Sequence, residues 1–435
     1  MKNIISNIRN LLNAFKRRGL LGRKEQVKFF IHNYLGAEWT ESDVDQNQAK
    51  QLYQTVCEKY TEIRVHLMRA SNRIGEYIPR YLIAVEDAKK NAENGILDVF
   101  FLGDYVNHNS RLTDIMGRNI QIIDQKNGST WGYILAHFPK VDFRNYFGDY
   151  LMRDNERLLD PQNTAQYLSL TSEEMEEAKR KKELMGLHDP YVCVSNRDAA
   201  YLAAIEPDED WSYHDYRDSD INNFALSADY LAKKGITSMR MGRYVQEQVK
   251  FGNCIDYASK YYDELMDIVL MKDCKFFVGD SNGLCIVPMA LNTPYALKNV
   301  VPVFWNDFGS FPQSEQSLYI FKKYYSNVYK RFLSIKEMME IDNIVVLSGK
   351  GISTKYAELG IELIENSAEE ILDLVMEMNA RLDGEWIDTE EDLELQRKYH
   401  SIFEKWRVQA HYSEGAVRRA KLGVLFLRKN PYLLD

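Results

Sequence analysis

The stretch KFFVGDSNGLCIVPMALNTP, residues 275–294, decides the fold. An apolar run of strand type, residues 276–278, ends at the polar turn GDSNG, and a second apolar segment follows it. A strand, a small-residue turn and a helix in this order are typical of one unit of a parallel sheet. Pro288 falls in the second turn of the following helix, so we expect that helix to be bent or to start late.

Strand and helix patterns alternate in the same way over two parts of the chain. In the first part, residues 62–90 predict a strand, a small polar turn around Gly75 and a helix. Further predicted strands are residues 96–102, 119–123, 190–195, 236–240 and 300–305, and further predicted helices are residues 223–234 and 257–272. This alternation predicts an α/β fold with two Rossmann-like domains, each with a parallel sheet covered on both faces.

The points where the alternation of strands and helices stops and starts again divide the chain into four segments. The polar stretch SLTSEEMEEAKRKKELMG has Ser172 at a good N-cap position, acids in its first turn and bases in its last, which predicts a helix leading to a boundary near residue 186. The run 344–347 is the last strand signal before a mostly helical tail. The predicted domains are a basic helical segment 1–58, a Rossmann-like domain 59–185, a second Rossmann-like domain 186–350 and a helical tail 351–435.

Composition excludes several classes of protein. The chain has 435 residues and a net charge of −9, which argues against a nucleic-acid binder held by a general positive field. Its five cysteines are scattered without a CxxC pair, so neither a disulfide framework nor a zinc site is expected and the protein reads as cytoplasmic. The acidic loops 208–210 and 218–220 are too ordinary to predict a metal site.

The first 24 residues are basic and contain no acid, with apolar residues at helical spacing. One interpretation is an amphipathic helix on an anionic membrane surface, which would make the protein peripheral on the inner face of the membrane. In that case the residues that would face the headgroups are Lys16, Arg17, Arg18, Arg23 and Lys24. The other interpretation is a helix docked on the protein's own surface, since amphipathic helices usually face a core.

Polar residues after the strands of the second domain are the candidates for an anionic ligand. In open parallel sheets, ligands bind beyond the carboxyl ends of the strands, where helix N-termini and arginines favour phosphate. The candidates are Asn196, Arg197, Asp198, Arg217, Arg240, Met241, Gly242, Asp280, Ser281, Asn282, Gly283 and Leu284. The turn at 280–283 matches no glycine-rich nucleotide motif and is more often only a turn.

The first domain offers a different kind of candidate. Glu76 follows Gly75, and Asp104 follows the second strand. A carboxylate there could take a proton from an attacking hydroxyl, but it could equally cap a helix or pair with an arginine such as Arg73. The remaining acceptor-side or loop candidates are Asn107 and Asn109.

Several stretches of the chain together resemble a family of bacterial glycosyltransferases found among surface-polysaccharide genes. They are NRDAAYL (196–202), YRDSDINNFALSADYLAKKGITSMRMG (216–242), YASKYYDELMDIVLMKDCKFFVGDSNGL (257–284) and the segment 294–302. RIGEY (73–77) is similar to the family's glycine loop, and FLGDYVNHN (101–109) is also similar to it. The resemblance covers most of residues 60–310. In the family a histidine often follows the loop glycine, where this chain has Glu76.

More distantly, the turn at 280–283 is similar to the nucleotide-binding half of heptosyl- and fucosyltransferases with a GT-B fold. The resemblance implies two facing Rossmann-like domains, with a nucleotide-sugar donor bound mainly by the C-terminal one and an acceptor by the N-terminal one. It also implies no bound metal, and no cofactor, because the nucleotide-sugar is a substrate.

The predicted function is therefore transfer of a sugar from a nucleotide-sugar to a hydroxyl of a glycan or lipid-linked acceptor in surface-polysaccharide or glycoconjugate synthesis. The helix N-terminus at 281–284 and Arg197, Arg217 or Arg240 would hold the diphosphate, and Glu76 first or Asp104 second would be the base. Two alternatives remain open. One is a pyruvyltransferase or sugar-nucleotide epimerase on the same frame, and the other is a noncatalytic scaffold of a polysaccharide assembly complex.

Overall fold

The computed structural model describes residues 22–68, 72–103, 108–144, 159, 161–303, 316–346, 348–409 and 421–435. Most of the predicted basic helix, residues 1–21, and the candidates Asp104 and Asn107 lie outside these residues.

The strands and helices of these residues are numbered here in chain order. The strands are β1 Glu62–Met68, β2 Ile96–Leu102, β3 Gln121–Ile123, β4 Val141–Arg144, β5 Tyr191–Val194, β6 Thr237–Arg240, β7 Cys254–Asp256, β8 Phe276–Gly279, β9 Tyr295–Val300, β10 Leu318–Phe321, β11 Lys323–Ser326, β12 Arg331–Phe332, β13 Ile361–Ile364 and β14 Lys421–Leu422. The helices are α1 Arg23–Leu35, α2 Gln46–Lys59, α3 Ile74–Ala92, α4 Ser110–Met116, α5 Gly128–His137, α6 Pro161–Tyr167, α7 Ser172–Leu184, α8 Ala200–Ile205, α9 Ala225–Lys233, α10 Tyr257–Lys260, α11 Met266–Asp273, α12 Ile286–Ala290, α13 Ile335–Val346, α14 Ile352–Glu358, α15 Ala368–Leu382, α16 Glu390–Gln409 and α17 Val424–Lys429.

The chain forms two compact units. The first contains Met1–His108 and Met116–Asp149, and the second contains Asn109–Ile115 and Tyr150–Asp435.

The first unit is built on a four-stranded parallel sheet in the order β3-β2-β1-β4. Its register runs from Glu62 opposite Ile96 to Met68 opposite Leu102. Helices α1 and α5 pack on each other, and Phe30 of α1 stacks on Phe143 of β4 with ring centroids 4.2 Å apart. The buried apolar side chains of the central strands and these helices form one continuous core.

The second unit is built on a seven-stranded parallel sheet in the order β14-β10-β9-β8-β5-β6-β7. All residues of β5, β8, β9 and β10 are buried, as expected for central strands covered by helices on both faces. The predicted α/β fold class with two Rossmann-like parallel sheets is thus confirmed. The tail predicted as helical also supplies β14, which pairs with β10 at one edge of this sheet.

The direction of strand progression reverses at β5. From β5 the chain adds β6 and β7 on one side, while β8, β9 and β10 follow in turn on the other side. Ligands of open α/β sheets bind at such a reversal, in the crevice beyond the carboxyl ends of the strands. The residues that follow β5 and β8, Ser195–Asp198 and Asp280–Gly283, therefore lie where the sequence placed a ligand site.

A small antiparallel sheet, in the order β12-β11-β13, lies in the same unit beside α13 and α14. Asp342 of α13 is fully buried there and accepts hydrogen bonds from the hydroxyls of Tyr324 and Tyr356 at 2.7 and 2.6 Å. Its other carboxylate oxygen accepts from the backbone N–H of Val303 at 2.7 Å. Burial raises the pKa of Asp342 to about 7, against these three donors, which lower it.

Some predicted elements are wrong in type or position. Residues 344–346 belong to the helix α13, because the buried face of the segment recurs at helical spacing from Ile335 to Val345. The strand predicted at 300–305 lies earlier, as β9, and ends at Val300 before a Pro-containing turn. The helix predicted over 257–272 is interrupted between α10 and α11.

Two helix starts are also shifted. Thr171, not Ser172, caps α7, in a capping box with Glu174. Helix α3 begins at Ile74, so Gly75 lies in its first turn rather than in a loop. As Pro288 predicted, the helix after β8 starts late: a short 3₁₀ turn, Gly283–Cys285, precedes the five-residue α12.

We expect Asp342→Asn to remove part of the pH dependence of stability. The pKa of Asp342 is higher in the folded than in the unfolded chain, so the unfolded state loses its proton first as pH rises. Stability therefore falls between about pH 4 and pH 7. From pH 5 to pH 8 the parent protein should lose about 2 kcal/mol more free energy of unfolding than the variant. Urea unfolding at both pH values measures this.

Asp114→Asn, at an exposed position, is the matched control and should keep the pH dependence of the parent. Equal losses in the parent and in Asp342→Asn would contradict the assignment.

Candidate functional site

Asp280, the first residue after β8, holds together the carboxyl edge of the second sheet. One carboxylate oxygen accepts hydrogen bonds from the backbone N–H of Arg197 at 2.7 Å and from the hydroxyl of Ser219 at 2.5 Å. The other accepts from the ammonium of Lys298 at 2.7 Å and from the amide of Asn299 at 3.3 Å. The segments after β5 and before α9 are thereby tied to β8 and β9.

The Asp280–Lys298 ion pair is almost wholly removed from solvent, with side-chain exposures of 1% and 0%. Charges this deep are tolerated only when paired and hydrogen-bonded. Lys298 meets that condition through Asp280 and a second hydrogen bond to Ser219 at 3.3 Å. We therefore assign Asp280 an organising role at this edge, since its carboxylate bonds four groups of the protein itself.

Asn299 and Asn366 extend this buried network toward the tail. The side-chain oxygen of each accepts a hydrogen bond from the backbone N–H of the other, both at 2.7 Å. Asn299 has a φ of 52°, in the left-handed region that asparagine tolerates better than most residues. The pair fixes the end of β9 against residue 366, which precedes α15.

Three charged groups lie beside the network. The guanidinium of Arg197 forms an ion pair with Asp218, and the ammonium of Lys322, the residue after β10, donates to the backbone carbonyl of Asp218 at 2.6 Å. Burial, followed by the neighbouring charge of Arg217, lowers the pKa of Arg197 to about 10. Burial also lowers the pKa of Lys322. The carboxyl edge thus concentrates positive charge in a poorly solvated place.

Two buried hydroxyls stand at the same edge. Ser195 follows β5 and Ser281 follows Asp280; each is 1% exposed, and neither side-chain oxygen has a hydrogen-bond partner among the described residues. A buried polar atom without a partner costs about 1–3 kcal/mol. The hydroxyls of Ser227, Ser238 and Ser317 are also buried without a partner among the described residues, so it is the position of Ser195 and Ser281 at the reversal point that distinguishes them. A ligand oxygen would remove that cost.

The structure places Arg240 inside the protein. Its guanidinium is 1% exposed and donates to the side-chain oxygen of Asn196 and to the carbonyl of Glu247, both at 3.0 Å. Asp198 and Asp256 lie within 3.8 and 3.6 Å of it. Arg240 therefore joins the segment after β5 to the loop after β6.

The turn at 282–284 is satisfied internally. The side chain of Asn282 accepts from the backbone N–H groups of Leu284 and Cys285 at 2.9 and 3.3 Å, and the N–H of Asn282 donates to the carbonyl of Asp280. Gly283 begins the 3₁₀ turn that this side chain caps. The donors predicted at this helix start are therefore partly used by the protein itself.

The remaining candidates of the second unit are spread along the same edge. Met241 is buried and its N–H donates to the carbonyl of Val194, while Gly242 has a φ of 144° that few side chains adopt. Arg217 contacts His214 at 2.7 Å and lies over the ring of Tyr216. Asn109 also belongs to this unit, where its amide donates to the carbonyl of Glu264 and its side-chain oxygen caps α4.

In the first unit, the candidate base Glu76 lies in the first turn of α3. Its carboxylate accepts from Arg80 at 3.1 Å and lies 4.0 Å from Arg73, and its side chain is 38% exposed. Glu76 therefore pairs with arginines, which was one of the two roles that the sequence analysis left open for it. The N–H of Glu76 donates to the carbonyl of Arg73, which fixes the start of the helix.

Sequence reasoning missed Lys298, Lys322, Ser219 and Asn366. A signal was present for the two lysines: each interrupts or directly follows an apolar strand, in YALKNV and LYIFKK. A charge inside such a run indicates a buried partner or a ligand. Ser219 and Asn366 gave no signal, because their partners are distant in sequence.

Among the residues whose placement is described, no helix combines the length and the apolarity that crossing a bilayer requires.

Comparison with known proteins gives the following. No family model and no curated protein matches the chain. Among solved structures, it is similar to a glycosyl transferase family 9 protein from Veillonella parvula, with 14% identity, 74% of this chain and 98% of that chain covered, and a TM-score of 0.40. It is also similar to the ADP-heptose lps heptosyltransferase II of E. coli, with 13% identity, 54% of this chain and 84% of that chain covered, and a TM-score of 0.33. A third similar structure is the wall teichoic acid polymerase TagF, with 10% identity, 78% of this chain and 95% of that chain covered, and a TM-score of 0.27.

All three TM-scores lie below 0.5, so the fold is assigned here from strand order and register alone. The strand order and the site define a doubly wound α/β unit. At the point where its strand progression reverses, lysines and serine hydroxyls line the carboxyl edge of the sheet.

We expect Lys298→Met to lower the free energy of unfolding by about 3–5 kcal/mol, because it leaves the Asp280 carboxylate buried without its counter-charge. The double variant Asp280→Asn/Lys298→Met should recover part of this loss. Urea unfolding measures both.

The control is Lys250→Met, which breaks the exposed pair with Glu247 and should change stability by no more than about 1 kcal/mol. If Lys298→Met costs no more than this control, the pair does not organise the edge.

Proposed function

We propose that this protein is a glycosyltransferase that moves a sugar from a nucleotide-sugar donor to a hydroxyl of a glycan or lipid-linked acceptor, in surface-polysaccharide or glycoconjugate synthesis. The donor diphosphate would lie beyond the carboxyl ends of β5, β8 and β10. The observation that carries this proposal is that Lys322 is buried without a carboxylate close to its ammonium among the described residues.

Lys322 is 4% exposed, and no carboxylate among the described residues lies within 4.0 Å of its ammonium. Its one hydrogen bond goes to a backbone carbonyl, that of Asp218. A buried cation without a close counter-ion is costly. Burial lowers the pKa of Lys322 although the more distant charges of Glu365 and Asp280 raise it. A bound anion would supply the missing negative charge.

The neighbours of Lys322 suit a phosphate in particular. Arg197 can offer planar paired donors, and Ser195 and Ser281 offer two hydroxyls that have no other partner among the described residues. Such donors are already in place and poorly solvated. They would stabilise the charge that develops on the diphosphate as the bond to the sugar breaks. In this proposal the cations of the protein do the work of a metal ion, and no cofactor is required.

The acceptor hydroxyl needs a base, and we assign that role to Glu76 first and Asp104 second. Glu76 is half-exposed at the start of α3, so a substrate can reach its carboxylate. Arg80 and Arg73 hold that carboxylate in place without removing both of its oxygens from solvent. A carboxylate within hydrogen-bond reach of the hydroxyl would accept its proton as the new bond forms.

An anionic membrane surface remains part of the proposal for the basic residues that precede Gly22. Arg23 and Lys24 belong to the same basic stretch, and the side chain of Lys24 is 51% exposed. Arg23 donates to the carbonyl of Phe138, and Lys24 pairs with Glu41 at 2.8 Å.

Lys322→Met tests the proposed diphosphate site. We expect it to weaken binding of UDP, GDP, CDP or ADP, whichever stabilises the parent protein most in a thermal-shift screen, by about 10- to 150-fold, the range for a charge-assisted hydrogen bond. The unliganded variant should be as stable as the parent, because the substitution removes a buried, unpaired charge.

The matched control is Lys323→Met, at the next position, whose ammonium pairs with Glu370 at 2.7 Å. It should leave nucleotide binding unchanged. A parent protein that binds no nucleotide at all would favour the noncatalytic scaffold. A Lys322→Met variant that loses stability without losing affinity would make Lys322 structural.

Glu76→Gln should lower kcat for sugar transfer by about 100- to 10,000-fold while leaving nucleotide affinity unchanged, because it removes a proton acceptor and keeps the shape of the side chain. Transfer is measured with the sugar donor of the nucleotide found above. Glu93→Gln, just after the same helix, is the control. Full activity of Glu76→Gln would move the assignment to Asp104.

A further inference from the structure

A cluster of aromatic rings around one guanidinium lies on the other half of the same sheet edge. Tyr201 belongs to α8, which follows β5. Arg243 and Tyr244 follow β6, and Tyr262 follows β7 and α10. The guanidinium of Arg243 lies 5.3 Å from the ring centroids of both Tyr244 and Tyr262, and the rings of Tyr201 and Tyr244 are 6.1 Å apart. We call these four residues the aromatic platform.

The platform is partly open to solvent. Tyr244 is 38% exposed, and the neighbouring Tyr261 is 41% exposed. Cation–π contact and ring packing hold the rings in place, so they present flat apolar faces at little entropic cost. A flat ligand can stack on such a surface without reorganising it.

Buried groups fasten the loop that carries the platform. Asp198 accepts a hydrogen bond from the backbone N–H of Gln246 at 3.0 Å, and Arg240 donates to the carbonyl of Glu247. The first bond joins the segment after β5 to the loop after β6, and the second joins the end of β6 to the same loop, two and three residues after Tyr244. Arg240 is therefore a positioning residue for the platform.

The distance from the platform to the proposed diphosphate site is limited by the chain itself. Arg197, whose backbone is bound to Asp280, stands only four residues before Tyr201. Four residues span at most about 14 Å, and neighbouring strands are about 4.8 Å apart. The backbone of Arg197 and that of Tyr201 therefore lie within about 14 Å of each other, a distance that a nucleoside diphosphate can span.

We propose that the aromatic platform, with Tyr244 as its exposed ring, stacks the nucleobase of a nucleoside diphosphate whose phosphates lie at Lys322, Arg197, Ser195 and Ser281. This inference rests on the proposed function and names the part of the donor that this half of the edge recognises. A base fits better than a sugar, because a guanidinium plane and tyrosine faces both stack on a flat π system. Stacking tolerates every base, so affinity for several nucleotides is expected.

The test compares ligands with and without a base on the full chain, by isothermal titration calorimetry with UDP, ADP, inorganic pyrophosphate and glucose 1-phosphate. We expect the parent to bind UDP or ADP about 5- to 100-fold more tightly than pyrophosphate. Tyr244→Ala should abolish this preference and leave pyrophosphate binding unchanged. Tyr244→Phe, which keeps the ring, should retain the preference. Tyr329→Ala, at another exposed tyrosine, is the control.

The outcomes separate this inference from the function on which it rests. If Tyr244→Ala keeps the preference for nucleotides while Lys322→Met weakens all anions, the platform proposal is wrong and the diphosphate site stands. If glucose 1-phosphate binds more tightly than pyrophosphate and loses affinity in Tyr244→Ala, the platform stacks a sugar and the base assignment is overturned. If no nucleotide and no pyrophosphate binds, both proposals fall together.

Discussion

The buried ion pair between Asp280 and Lys298 is the interaction on which the carboxyl edge of the second sheet depends. An ion pair with both partners at or below 1% exposure is stable only if the remaining hydrogen-bonding atoms of the pair itself are satisfied. Satisfying Asp280 recruits Arg197 and Ser219 from the connection between β5 and β6, and Asn299 from β9. The pair thus converts an electrostatic requirement into a fixed arrangement of loops, which hydrophobic packing alone would leave less specified.

The strand order gives this pair its place. Because progression reverses at β5, the connections after β5 and β8 diverge and leave room between them, and Asp280 stands at that point. Two kinds of polar group meet there: those whose hydrogen bonds are made within the protein, and those that lack a partner among the described residues. Those bound to Asp280 are complete, while Lys322 lacks a carboxylate within 4.0 Å and the hydroxyls of Ser195 and Ser281 lack partners, within the described residues. The first group builds the edge, and the second is what a ligand would complete.

The sequence predicts the fold well and the site only in outline, for a physical reason. Strand and helix periods are local, so β1, β2, β5, β6 and β8 could be placed within a residue or so from the sequence. Partnerships of charged side chains are not local: Arg240 looked like a ligand donor, but residues 196, 198, 247 and 256 bury it, and no short motif reports those contacts. Lys322 was overlooked because a lysine after a strand usually reaches solvent, and only the packed structure shows that this one does not.

The pairing of β14 with β10 has a consequence for synthesis of the chain. Leu318 lies opposite Lys421, and Val424, just after β14, donates its N–H to Glu377 at 2.7 Å. Until residue 421 has left the ribosome, β10 is therefore an edge strand without its outer partner, although its side chains are all buried in the folded protein. At about 5–20 residues per second, roughly 100 residues of translation separate the emergence of that edge from its cover. This interval, longer than most folding steps, is when the nascent protein is most exposed to wrong strand pairing.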